Sequence, residues 1–266
     1  MNISDILRQA TVSRLDVEVL LAHVLGRDRA WLAAHGDKEV PPEIHAAFTA
    51  AVARRKAHEP VAYITGEREF YGRSFHVTPD VLIPRPATEG LVDFVLDTLS
   101  QRTRDRVRVV DAGIVAASSV WGSLEDARTI VDVGTGSGCI AVTLACENPG
   151  FRVIAVDVSK NALAIARKNA KKHGVANRID LRQGHLLEPV KTFTDPFIVV
   201  ANPPYIPDSD VLPPDVENYE PSLALRAGKE GLDIIRELMT QVHAHPQCRG
   251  LVLECKEKQW FIVCGS

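Results

Sequence analysis

The sequence predicts an α/β fold, an open parallel sheet flanked by helices and preceded by a small helical domain. Three observations carry this. The apolar run Thr129-Ile130-Val131-Asp132-Val133 leads into Gly134-Thr135-Gly136-Ser137-Gly138 and then into the helix-like Cys139–Ala145, which together make the strand, glycine turn and helix of a nucleotide-binding start. A second apolar strand, Arg152-Val153-Ile154-Ala155-Val156, ends in Asp157. Ahead of both, apolar residues recur at three- and four-residue spacing through the first 56 positions. At 266 residues and 45% hydrophobic content, the chain has material for one large domain or two.

Charge and cysteine usage narrow the class. With 31 Lys and Arg against 34 Asp and Glu the net charge is −3, which argues against direct nucleic-acid binding. Five cysteines, an odd number without C-x-x-C spacing, read as reduced thiols in a cytoplasmic protein. The N-terminus lacks a basic stretch followed by an apolar core, and no apolar run reaches the length of a membrane span. Export and membrane insertion are therefore not expected, and no cluster of residues has metal-ligand spacing.

Residues 1–66 read as the helical domain. Leu15, Val19, Leu20, Val24 and Leu25 form one helical stripe that Gly26 is placed to end. A further helix follows Pro41-Pro42 through Ile44, Phe48, Ala51 and Val52 to Arg54-Arg55-Lys56, cations that suit a helix C-terminus. Residues 67–84 read as hairpin and linker, with the turn inside Phe70-Tyr71-Gly72-Arg73-Ser74-Phe75. Prolines on both sides of Arg85 hold it in a stiff extended segment, making it either a surface charge or a ligand-facing candidate. From residue 85 to 266 the sheet domain follows, opening on a helix through Thr88, Leu91, Val92, Val95 and Leu96. Within it, residues 101–128 read as a surface insertion. Arg102, Arg104, Arg106 and Arg108 make a solvated basic stretch, Val107–Val110 alternates like an edge strand, and Ala112–Ser119 has no clear period.

The candidate substrate site is Asn202-Pro203-Pro204-Tyr205, directly after the apolar run Phe197–Ala201. Ligands of open α/β sheets bind at the carboxyl ends of the strands. Two prolines fix φ and donate nothing, so the turn is rigid and its carbonyls are free to accept. Asn202 adds a carboxamide and Tyr205 a flat face, a combination suited to a planar amide or amino group. A proline-rich turn with a capping Asn is the bland alternative. Upstream, the G-x-G-x-G spacing differs from the dinucleotide G-x-G-x-x-G, and no lysine follows as in a P-loop. Asp157 lies at the distance where an acid accepts ribose hydroxyls.

These segments resemble class I S-adenosylmethionine-dependent methyltransferases, and the chain as a whole resembles the HemK/PrmC family. The resemblance rests on Gly66–Phe70, Val81–Pro86 with Thr88-Glu89, residues 134–138, Asn202–Tyr205, Glu220–Leu225, Gly228 and Glu230–Leu232. It implies a Rossmann-like methyltransferase sheet behind a helical substrate-recognition domain. It implies S-adenosyl-L-methionine as cofactor, held at Gly134, Thr135, Gly136, Ser137, Gly138, Asp157 and Asn202. The implied substrate is the glutamine side-chain amide in the Gly-Gly-Gln motif of class I peptide chain release factors, held by Asn202, Pro203, Pro204 and Tyr205. The implied reaction is direct displacement, with Asn202, Pro203 and Tyr205 as the catalytic set that holds a poorly nucleophilic nitrogen in line.

The chain departs from the family at several places. Ala87 stands where the family usually has an acid, and His185 where it commonly has an Asp that accepts from adenine; a neutral imidazole still offers one acceptor. After Leu251-Val252-Leu253-Glu254 the further helix and strand pair of the family are missing, which predicts an open sheet edge, marginal stability or self-association. Two rival readings stay open: a nucleic-acid amino methyltransferase acting on a flipped base, and a truncated, catalytically impaired family member.

Overall fold

The computed structural model of the chain describes residues 1–9, 11–100, 107–111, 114–120 and 127–264, with only the backbone of 107–111, 114–120 and 263–264. The basic stretch Arg102, Arg104 and Arg106 lies outside the described residues. The chain divides into two compact units, Met1–Glu67 with Leu212–Tyr219, and Arg68–Val211 with Glu220–Ser266.

The first unit is helical: α1 (Ile3–Arg8), α2 (Arg14–Leu25), α3 (Arg29–Ala34), α4 (Pro42–Lys56) and α5 (Val61–Thr65). The α2 start is fixed by Ser13, whose hydroxyl accepts from the Asp16 amide at 3.1 Å. Gly26 ends it in the left-handed conformation, φ 62°, as its position predicts. Val17, Leu20, Leu21, Leu32, Phe48 and Ile64 pack together inside this unit. Tyr219, from the returning segment 212–219, donates its hydroxyl to the Ala57 carbonyl at 2.7 Å.

The second unit opens with the hairpin β1 (Glu67–Phe70) and β2 (Arg73–His76). Its two-residue turn has Tyr71 and Gly72 at φ 54° and 68°, the left-handed pair that a tight hairpin of right-handed twist requires. Then follow α6 (Pro86–Leu99), β3 (Val107–Asp111), β4 (Ile114–Val120), β5 (Thr129–Val133), α7 (Cys139–Glu147), β6 (Arg152–Asp157), α8 (Lys160–Lys172), β7 (Ile179–Gln183) and β8 (Phe197–Ala201). The short α9 (Pro214–Glu217) belongs to the returning segment, and α10 (Asp233–Ala244), β9 (Cys248–Lys256) and α11 (Glu257–Cys264) complete the order.

The described strands form one seven-stranded sheet in the order β3-β4-β9-β8-β5-β6-β7. The five from β9 to β7 are parallel. Alternate residues serve opposite faces. Ile130, Val153, Ile198, Val200 and Val252 meet helices α6 and α7, while Val131, Ile154, Val199, Leu251 and Leu253 meet α10. Burial on both faces is why these strands are continuous apolar runs in the sequence.

The sheet bears on two expectations. Residues 114–120, read as part of a surface insertion, form a sheet strand: β4 runs antiparallel along β9 from Ile114 opposite Lys256 to Val120 opposite Gly250, and β3 pairs with β4 in turn. The edge of β9 is therefore paired, by an internal segment. The tail packs as well. Trp260 is buried in the core beside α10, and buried Gln259 donates to the carbonyls of Tyr205 and Gly231 at 2.8 and 3.1 Å. Phe261 and Ile262 remain exposed.

If β4 is an inner strand, Ala117→Pro, opposite Leu253 on β9 and Val107 on β3, removes a ladder donor. It is expected to lower stability by roughly 1–3 kcal/mol, the cost of a ladder carbonyl left unpaired. Urea denaturation measures this; an unchanged midpoint would return the segment to the surface.

Candidate active site

At the carboxyl ends of β5, β6 and β8 lies a cavity of about 360 Å³. Its lining takes Val133, Gly134 and Gly136 from the end of β5 and the glycine loop, Asp157 from β6, and Asn202, Pro203 and Pro204 from the turn after β8. His185 and Leu186 line it too, as do Pro79–Leu82 of the linker and Pro221, Leu223 and Ala224. The strand-end reading thus brings Gly134, Gly136, Asp157, His185, Asn202, Pro203 and Pro204 to one space.

Thr135, Ser137, Gly138 and Tyr205 are not among the lining residues. Thr135 turns inward and donates its hydroxyl to Asp132 Oδ2 at 2.6 Å. Ser137 is buried, and its carbonyl accepts from the fully buried Asn169 at 2.8 Å. Gly138, φ 79°, sits where α7 starts beside α8: a Cβ there would come within 3.1 Å of the Ala166 Cβ. Gly134, φ 72°, has open space where a Cβ would stand, so the left-handed backbone and not crowding is what calls for glycine there. Tyr205 places its hydroxyl on Glu254 Oε1 at 3.1 Å, with its ring against the core beside α10, so its face is not presented to the cavity.

Asp157 is doubly anchored. Its Oδ2 accepts from the Gly136 amide and its Oδ1 from the Ser159 amide, each at 2.9 Å. Burial holds its carboxyl above the usual carboxylate range despite these donors. The geometry fixes both oxygens while leaving lone pairs for a ligand at the cavity edge.

His185 Nε2 lies 2.9 Å from Glu237 Oε1. With that nitrogen donating, Nδ1 is the ring's acceptor. The adjoining Leu186 is buried at φ 48°, a conformation that costs a non-glycine residue about 1 kcal/mol. Such strain persists where packing over-determines it, often at ligand sites.

Asn202 Nδ2 donates to Thr88 Oγ1 at 3.0 Å, leaving Oδ1 as the acceptor that the side chain offers. Arg85, a candidate ligand-facing cation, is instead paired with buried Glu220, which also accepts from the Ile83 amide at 3.2 Å. It ties the linker to the segment after residue 220 and does not line the cavity. Sequence reasoning gave no role to Thr88, Glu220 or Glu254. Glu254 carries a legible signal, a lone acid closing the buried run Leu251-Val252-Leu253, whereas Thr88 looks like any first-turn helix residue.

Asp132 is fully buried on β5 and accepts from the Thr135 hydroxyl and, at 3.2 Å, the Ala141 amide, while Oδ1 has no partner. Burial raises its pKa from 3.8 to about 7. The folded state therefore holds a proton that the unfolded chain has already lost, and this contribution to stability falls as pH rises from about 4 to about 7. Asp157 and Glu254 are shifted in the same sense, so a comparison isolates Asp132. In denaturant titrations across that range, Asp132→Asn is expected to lose less stability with rising pH than the parent. Parallel slopes would remove Asp132 as a source of the dependence.

Residues 2–66 match the family described as PrmC N-terminal domain, and residues 110–213 the family described as methyltransferase small domain. The release factor glutamine methyltransferase of Cereibacter sphaeroides is 40% identical over 253 residues, 94% of this chain and 81% of that one. The protein of the same name from Koribacter versatilis is 39% identical, covering 94% and 78%. That of Chlorobaculum tepidum is 42% identical, covering 80% and 68%.

Proposed function

The chain belongs to the release factor glutamine methyltransferase family, and we propose that it methylates the glutamine side-chain amide in the Gly-Gly-Gln motif of class I peptide chain release factors. The proposed methyl donor is S-adenosyl-L-methionine and the proposed compartment the cytoplasm, where release factors work. One observation carries the site reading. Asn202 stands at the cavity on a turn stiffened by two prolines, with its NH₂ already engaged by Thr88 and its carbonyl oxygen left to accept.

The cavity's donor set fits the cofactor. Gly134 and Gly136 leave the loop backbone open to a ligand, Asp157 offers anchored carboxylate oxygens for hydroxyls, and Val133, Leu186 and Ile234 are apolar walls. When bound, S-adenosyl-L-methionine supplies an electrophilic methyl group. In this reading Gly134, Gly136, Asp157, His185 and Asn202 touch the cofactor, while Thr135, Ser137 and Gly138 shape the loop. Asn202 Oδ1 and the Pro203 carbonyl accept from the glutamine NH₂. That orients the nitrogen and removes the freedom that makes an amide so poor a reactant. Tyr205 holds the end of the turn through its hydroxyl.

The decisive experiment measures labelled methyl transfer to a release factor, beside a variant lacking the Gly-Gly-Gln glutamine and beside RNA and DNA. Label on the intact release factor alone is expected. Label on nucleic acid alone would replace the substrate reading by that of an amino methyltransferase of bases.

Two substitutions separate the roles. Asn202→Ala is expected to lower the single-turnover rate by about 10² to 10³, the scale for one preorganised polar contact. Its cofactor affinity should fall much less. Asp157→Ala reverses that balance, weakening cofactor binding by roughly 1.5–3 kcal/mol, as for hydrogen bonds to a charged group. Calorimetry and single-turnover methylation on the same preparations test both. A parental rate for Asn202→Ala would reduce the Asn-Pro-Pro-Tyr turn to a structural element.

A further inference from the structure

The far end of the Asn202–Tyr205 turn is held by a buried side chain from α11, Gln259. Its Oε1 accepts from the Lys256 amide at 3.1 Å. A backbone amide can only donate, so the orientation of the Gln259 carboxamide is settled and its NH₂ faces the other way. That NH₂ meets three carbonyls: Tyr205 at 2.8 Å, Gly231 at 3.1 Å and Glu230 at 3.2 Å. Two protons serve three acceptors, and the shortest contact is the one to Tyr205.

The Tyr205 carbonyl and the Ile206 amide belong to one planar peptide unit, and they point in opposite directions. The Ile206 amide donates to the Leu225 carbonyl at 3.0 Å, while Gln259 takes the oxygen on the opposite edge. Gly231 presses on that oxygen as well: at φ 68° it lies so near that a Cβ would stand 2.3 Å from it. The peptide is thus pinned on both edges. At the near end of the turn, Ala201 is fixed by pairing with Val133 and Leu253. Between these anchors stand Pro203 and Pro204, whose rings fix φ, so little of a displacement at the 205–206 peptide is absorbed before it reaches the Pro203 carbonyl and Asn202.

We propose that Gln259 is a positioning residue, which locks the 205–206 peptide and so sets where the Pro203 carbonyl and the Asn202 amide stand at the cavity. Its effect on rate rests on the glutamine-methylation reading, whereas its effect on the turn has its own readout.

Gln259→Met keeps the length of the side chain and removes its donors. It is expected to bind S-adenosyl-L-methionine with near-parental affinity and to methylate a release factor about 10²-fold more slowly in single turnover, the scale of a misplacement of about 1 Å. Gly231→Ala crowds the same oxygen from another residue and should slow the reaction in the same way. The double variant should be no slower than the slower single one, because both act on one peptide. In ¹⁵N-labelled protein, the Asn202 side-chain NH₂ signals, identified by their loss in Asn202→Ala, should move in both single variants. A loss of packing confined to α11 would leave those signals in place. Parental rates, losses that multiply in the double variant, or unmoved Asn202 signals would each overturn the proposal. So would a cofactor affinity that falls as far as the rate, which would mark Gln259 as serving the fold alone. Moved signals in a protein whose parent methylates no release factor would support the clamp and overturn the substrate assignment instead.

Discussion

Parallel pairing of β5 with β6 on one side and β8 on the other is the constraint on which the cavity depends. Val133 lies opposite both Val156 and Ala201, so these strands end at the same height. The residues that follow, Gly134, Asp157 and Asn202, therefore emerge around one space although 68 positions separate the first from the last. A slip of one residue in either ladder would turn the apolar set of that strand to the wrong face and carry its terminal residue out of the site. The register is held by side chains that are almost wholly buried on both faces, among them Ile130, Val131, Ile198 and Val199. Site geometry and core packing are in this sense one problem.

That arrangement gathers carboxyl groups where water is scarce. Asp132, Asp157 and Glu254 are all displaced upward chiefly by burial, and each is answered by local donors: Thr135 and Ala141, Gly136 and Ser159, Tyr205 and its neighbours. Compensation is partial, since one oxygen each of Asp132 and Glu254 lacks a partner. Polar groups kept at such cost are commonly functional, because a purely structural core would be more stable with apolar replacements.

Much of this was legible because it is local. Gly26 as a helix stop, the Tyr71-Gly72 turn, the glycine loop and the strand-ending Asp157 and Asn202 each declare themselves within a few residues by conformation or periodicity. What escaped is non-local. Residues 114–120 alternate weakly, so nothing in that window tells that β9 will lie alongside; only the ladder shows it. The roles of Thr135, turned inward to Asp132, and of Tyr205, bonded to Glu254, depend on partners that motif spacing does not name. Asn202 meets Thr88, and Tyr205 meets Glu254, across long stretches of chain that only the fold brings together.

The pairing of β4 with β9 also bears on how the chain reaches its fold. Among the described strands β9 is synthesised last, yet it occupies an inner lane of the sheet, between β8 and β4. Until it emerges from the ribosome, the β3–β4 hairpin and the β8 edge face an empty lane, each carrying unpaired backbone groups. Closing that lane requires contacts of long sequence separation, the kind that form slowly. The nascent chain thus passes through a stage with two open sheet edges, a state prone to pairing with the wrong strand and suited to capture by chaperones.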